Sequence, residues 1–362
     1  MRLISLVGLV LVLLLGAVGV SAQEAATQEA PPQDAVEGLL AAFQNHPIVG
    51  IGEFHGVEQY MPLYERLLRD SRFIAEVGNI VFETGNSFYQ DVMDRYIAGE
   101  AISDQELLQT LSPTIAYGPT PLPQTIFQFL ALVREINQGL PEGEQLRVLL
   151  ADPPLDPANP PSMAGGPPPN RDEHMAQIIE QVLANGEKAL FIVGSTHLMP
   201  QGFPFALPGE AGGPMIITQP SEGGATVVAP SDAQVPLPLD LGRNVRQIVE
   251  ERHPGAIYAV QLHMGLAQTL CNAELEARLG GGATPVLVAM RGTWLEELLS
   301  RPECASLEAN GMPRYVSTWG DAYLMLAPAD VLTIAPTSPD GASIPLFDAF
   351  RDLQALMPVS AP

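Results

Sequence analysis

The chain has 362 residues, with 17 lysines and arginines against 41 aspartates and glutamates, a net charge of −24 at neutral pH. A field of that sign repels nucleic-acid backbones and anionic membrane surfaces, so nucleic acid is excluded as a partner class. The length suffices for one decorated α/β domain or two smaller ones, and Cys271 and Cys304 are the only cysteines.

Residues 1–22 read as an export signal. Arg2 supplies the positive start, Leu3 to Val20 is almost wholly apolar, and the small residues "VSA" precede Gln23. The body of the protein is then periplasmic or secreted, with no stable membrane insertion once the signal is cleaved. The alternative is an uncleaved run that anchors the chain. In an oxidising compartment Cys271 and Cys304 are able to pair.

A polar linker is expected over 23–34, followed by a single α/β domain over 35–358. "PIVGIGE" from Pro47 reads as a buried strand, and "VEQYMPLYERLLRDSRFIAEV" shows apolar residues at helical spacing with Pro62 confined to the first turns. "NIVFETG" from Asn79 is a second strand. Helices follow at "FYQDVMDRYIAGE", "SDQELLQTL" and "QTIFQFLALVREINQ". "LRVLLAD" ending at Asp152 and "KALFIVGSTH" ending at His197 are further strands, flanking a helix at "RDEHMAQIIEQVLANG". The second half gives a helix at "LGRNVRQIVEERH", a strand at "GAIYAVQLH", an apolar "PVLVAMRG", a short helix at "TWLEELLS" and a strand-like "DAYLMLAP". Alternation of this kind predicts a central mixed, mainly parallel sheet with helices on both faces. Two insertions interrupt it. Residues 153–170 are dense in proline and 199–240 rich in proline and glycine, and both are expected to be long surface loops.

Four polar residues stand at or just past the carboxyl ends of these strands: Glu53 and His55 after the first, Glu83 after the second, and His197 after the fourth. In an open α/β sheet that edge is where ligands bind. Two imidazoles and two carboxylates suit either a divalent metal such as zinc, manganese or iron with an open position for water, or metal-free acid–base chemistry. In the metal-free case His55 is the base, and Glu53 or Glu83 fixes its tautomer. Asp152 and His263 end other strands and are candidates for supporting positions. His46, His174 and His253 lie among polar or turn residues and read as solvated. There is no G-x-S-x-G elbow, P-loop, G-x-G-x-x-G or H-E-x-x-H, so the corresponding hydrolase, nucleotide and thermolysin-like chemistries lack support.

In order along the chain, "GEFHG", "VFETG", "MDRYIAGE", "RDEHMAQII" and "VGSTHL" resemble the superfamily that joins erythromycin esterase-like proteins, ChaN-like haem-uptake proteins and the Tiki and TraB metalloprotease group. The resemblance implies an erythromycin esterase/ChaN-like fold, and Glu53, His55, Glu83 and His197 match positions that supply catalytic or metal-binding groups. Erythromycin esterases usually carry two residues between the first glutamate and histidine, whereas here only Phe54 intervenes. "GEFH" and "GSTH" have the G-x-x-H form of the Tiki and TraB group. The esterase branch implies metal-independent ester hydrolysis with histidine as base, the Tiki branch a metal-dependent peptidase, and the ChaN branch haem binding without turnover, for which Tyr60, Tyr89 and Tyr117 are candidate ligands. The expected function is an exported hydrolase, metal-assisted, acting on an ester or amide bond of a small molecule or peptide. The alternative is a periplasmic haem- or iron-binding uptake protein.

Overall fold

The computed structural model describes residues 29–111, 122–156, 158, 170–199, 243–263 and 271–280, most of 282–345 in shorter runs, and four strands between 206 and 236. The expected signal, most of the first proline-rich insertion, Tyr117 and the last residues of the expected domain lie outside them.

In chain order the elements are β1 (Gln33–Asp34), α1 (Ala35–Ala42), β2 (Ile48–Glu53), α2 (Tyr60–Leu68), α3 (Ser71–Glu76), β3 (Asn79–Asn86), α4 (Gln90–Ile97), α5 (Asp104–Leu111), α6 (Gln124–Gln138), β4 (Arg147–Asp152), α7 (Arg171–Ala184) and β5 (Ala189–Gly194). Then come β6 (Ala206–Pro208), β7 (Pro214–Ser221), β8 (Gly224–Val228), β9 (Gln234–Pro236), α8 (Val245–Arg252), β10 (Ile257–Leu262), α9 (Asn272–Leu279), β11 (Val286–Ala289), α10 (Trp294–Leu299), β12 (Ser306–Leu307), β13 (Pro313–Arg314), β14 (Ala322–Met325), β15 (Thr333–Ile334) and β16 (Ile344–Pro345).

Eight strands form one sheet in the order β1-β11-β14-β10-β2-β5-β3-β4. The six from β14 to β4 run parallel, and β11 and β1 close one edge antiparallel. The central strands read as unbroken apolar runs because both of their faces are covered. Alternate residues separate cleanly. Val49, Ile51, Ile80, Phe82, Leu190 and Ile192 pack beneath α1, α2, α4 and α6. Ile48, Val81, Phe191 and Val193 pack beneath α7 and α8. The fold is thus the mainly parallel α/β sheet with helices on both faces that the periodicity predicts.

Three local expectations change. The single helix over 57–77 is two helices, because the Asp70 carboxylate accepts the Arg72 N–H and starts α3 afresh. Pro62 sits in the first turn of α2, where its missing N–H has no partner to lose. Helix α1, at the opening of the expected domain, adds an element that the sequence reading did not include: it buries Val36, Leu39 and Leu40 and exposes Glu37 and Ala41. Asp34 caps it by accepting from Val36 and Glu37 N–H. The insertion over 199–240 carries a four-stranded antiparallel sheet, β6-β7-β8-β9, in place of an irregular loop. The prolines within these strands fall where a ladder tolerates them: Pro208 and Pro236 on edge strands, Pro214 at a strand start, and Pro220 beside a register shift. Cys271 and Cys304 are joined by a disulfide, with Cα atoms 5.3 Å apart, beneath α9 and α10.

Candidate active site

The strand order explains the site. β2, β5, β3 and β4 are neighbours, so residues far apart in sequence leave the sheet side by side at its carboxyl edge. Glu53 ends β2, His55 follows two residues later, Glu83 lies on β3, Asp152 ends β4, and His197 sits in a 3₁₀ turn directly after β5. The chain turns out of β2 through Gly56, whose φ of +92° is open to glycine and strained for other residues.

Glu83 is the hub. One oxygen, Oε1, lies 2.8 Å from Arg171 Nη2 and 3.3 Å from His197 Nε2. The other, Oε2, accepts the Gly194 N–H at 2.5 Å and lies 3.1 Å from His55 Nε2. Each imidazole is bracketed by two carboxylates. His55 Nδ1 is 3.2 Å from Glu53 Oε2, and His197 Nδ1 is 2.6 Å from Asp172 Oδ1. Arg171 Nε donates to Asp152 Oδ1 at 2.5 Å, and Tyr64 OH donates to Glu53 Oε1 at 2.5 Å. The His197 turn is pinned from behind by Asn244, whose Nδ2 donates to the carbonyls of Thr196 and Met199.

Glycine at 194 allows this closeness. A Cβ there would stand 3.1 Å from His55 Nε2 and 3.4 Å from Glu83 Oε2, so a bare Cα is what lets the hub settle on β5.

The charges fix the protonation state. Burial pulls both imidazoles down, but Glu83 with Glu53 outweighs it at His55, raising that ring to about 10. Glu83 with Asp172 raises His197 to about 9. Burial would raise Glu83, yet His55 and His197 hold it well below the usual carboxylate range. At neutral pH Glu83 is therefore a carboxylate held between Arg171 and two imidazolium rings. Burial, reinforced by Glu53, pushes the Tyr64 hydroxyl well above 10, so it stays a donor.

His55 and Glu53 face a narrow cleft that opens to solvent. Its walls are mostly apolar, with Tyr60, Tyr64, Phe82 and Phe129 among them. Glu83 and His197 stand behind that front pair and do not line the cleft.

The structure brings Glu53, His55, Glu83, His197 and Asp152 together and leaves His263 out. His263 is fully buried on the other side of β2, with Nδ1 2.8 Å from Tyr323 OH and Nε2 2.9 Å from Glu276 Oε1. His174, read as solvated, is half-buried with Nε2 3.1 Å from Ser87 Oγ. Arg171, Asp172 and Tyr64 were not singled out from the sequence. The "RD" that opens α7 after the proline-rich stretch is the signal that points to the first two. Tyr60, a candidate haem ligand, is buried with its hydroxyl donating to Gly52 O.

The donor set does not fit a divalent metal as it stands. Both nitrogens of both imidazoles face carboxylates, and a guanidinium already occupies the carboxylate that a shared ion would bridge. Among the described residues no group of three or more histidine, cysteine, aspartate or glutamate side chains is disposed to hold a metal ion.

No family model and no curated protein matches the chain. Among solved structures it is similar to a protein from Bacillus cereus, with a TM-score of 0.48 and 9% identity over 86% of this chain and 97% of that one. It is also similar to an erythromycin esterase mutant in its open conformation, with a TM-score of 0.47 and 10% identity over 83% of this chain and 98% of that one. What the site can do follows from its own geometry: it is a buried carboxylate–imidazole cluster that opens at one corner onto an apolar cleft.

Proposed function

We propose that the protein is an exported hydrolase that adds water across an ester or amide bond, with Glu53 and His55 as its proton-transfer pair. The observation that carries this reading is the placement of those two side chains, 3.2 Å apart, on the wall of the cleft, with Glu83 behind them. An acid and a base held in contact at the point where substrate reaches a buried charge network is the arrangement that general acid–base catalysis requires.

The cycle balances. A water in the cleft attacks the carbonyl carbon and gives its proton to the Glu53 carboxylate. As the carbonyl–leaving-group bond breaks, the His55 imidazolium protonates the departing oxygen or nitrogen. Protonated Glu53 then returns the proton to His55 across their hydrogen bond, restoring the resting state. Glu83 orients the His55 ring and keeps it charged between turnovers. Arg171 and Asp152 hold Glu83 in place, and Asp172 holds His197. No step draws on a metal.

The test is a screen of chromogenic acyl esters and amides on the exported protein, with and without chelator, followed by Glu53→Gln and His55→Asn on any substrate found. Both variants are expected to lose about 100-fold or more in kcat. Full activity in either overturns the assignment, and loss of activity on chelation overturns the metal-free cycle.

A further inference from the structure

Resting on the hydrolase reading, we infer that the site takes uncharged substrates with an apolar acyl group, and that the cleft rejects acyl groups bearing a carboxylate. Beyond Glu53 and His55 the cleft is walled by Val57, Met61, Ile126 and the aromatic rings. Tyr60 and Tyr64 stack at 5.5 Å, Phe82 and Phe129 stack at 5.3 Å, and Tyr64 meets Phe129 edge-on at 5.2 Å. The tyrosine hydroxyls are committed to Gly52 O and Glu53, so apart from Thr84 and Thr125 the wall presents ring and aliphatic surface.

Among the described residues no lysine or arginine lines this cleft. The guanidinium of the cluster, Arg171, is engaged by Glu83 and Asp152 behind the front pair. A carboxylate placed against these walls would lose its hydration and find the His55 ring already engaged by Glu53 and Glu83, while Glu53 and the net charge of −24 repel it. An aliphatic acyl chain has the opposite balance. Each methylene that enters leaves water for apolar surface, an effect of about fourfold in kcat/KM per group until the aromatic floor stops further entry.

The experiment compares chromogenic pentanoyl and succinyl esters, which share a size and differ in the terminal carboxylate, together with an acetyl-to-butyryl series. The expected result is a kcat/KM for pentanoyl about thirtyfold or more above succinyl, with a rise along the short series. Met61→Lys, at a half-buried wall position outside the charge cluster, is expected to narrow the pentanoyl–succinyl gap tenfold or more by supplying the missing cation. Calorimetric binding of hexanone and of levulinate to the Glu53→Gln variant separates the two readings. If no ester or amide is cleaved but hexanone binds in clear preference to levulinate, the inference about the cleft stands and the hydrolase reading falls. Equal kcat/KM for the two esters, or equal binding of the two ketones, overturns the inference.

Discussion

Replacing Glu83 by glutamine keeps the size of the hub and removes its charge. The carboxylate is 5% exposed and accepts from Gly194 N–H, Arg171 Nη2, His55 Nε2 and His197 Nε2 at 2.5 to 3.3 Å. An amide in its place turns one of its two ends into a donor, and both ends face donors. Removing one partner of a buried charge network costs about 3 to 5 kcal/mol, because the remaining charges stay buried without compensation. Part of that loss is recovered as the two rings release protons. The same loss of charge withdraws the field that raises His55 and His197, so their values move back toward 6.5. Denaturant unfolding at pH 6 and again near pH 10 reads both effects. At pH 6 the variant is expected to be about 3 to 5 kcal/mol less stable than the parent, and by pH 10 the gap shrinks, since the parent by then has lost the ring contribution. A deficit below about 1 kcal/mol at pH 6, or a gap equal at both pH values, refutes the view of Glu83 as the charge hub.

The parent protein has its own pH signature. The folded-state values of His55 and His197 lie above the unfolded value of 6.5, so their contribution is complete below pH 6.5 and lost as pH rises through about 9 to 10. Allowing for partial exposure, the loss is on the order of 3 kcal/mol, measurable by unfolding at constant ionic strength. Glu83 has the opposite sign: its contribution is present above the ordinary glutamate range and declines as pH falls below it. Activity on a neutral ester should hold through neutral pH and fall near pH 10 as His55 loses its proton, whereas a rise centred near 6.5 would identify His55 as a resting-state base. Gly194→Ala crowds His55 Nε2 and Glu83 Oε2, and is expected to cut kcat tenfold or more with a stability loss of about 1 to 3 kcal/mol. Reducing the Cys271–Cys304 bridge opens a loop with a sequence separation of 33 and lowers stability by about 3 to 4 kcal/mol on the chain-entropy account, checked by unfolding with and without reductant.

Much of the fold is legible in the amino-acid sequence. Apolar runs such as "IVGIG" and "LFIV" fit strands buried on both faces, and that burial is a local property of composition and length. What stayed hidden was local structure without a local signature. Helix α1 has only eight residues, so its stripe of Val36, Leu39 and Leu40 is too short to stand out. Strands β6 to β9 are short and studded with prolines, and their ladder exists only through cross-strand pairing.

The candidate site divides the same way. Periodicity alone puts Glu53, His55, Asp152 and His197 at or just past the carboxyl ends of strands, and Glu83 in the last half of one. It equally placed His263 at such an end, and nothing in the string separates that histidine from the others. The remainder follows from how the strands pair. The order β2-β5-β3-β4 sets five of these residues beside one another, while β10 lies across β2, where His263 turns to Tyr323 and Glu276. Tertiary packing also brought in Tyr64, Arg171 and Asp172 from helices, and Asp172 joins Glu83 in holding the His197 ring protonated. Strand ends are written in local pattern, but which ends become neighbours depends on non-local pairing, and the proton affinity of a buried ring depends on every charge packed around it.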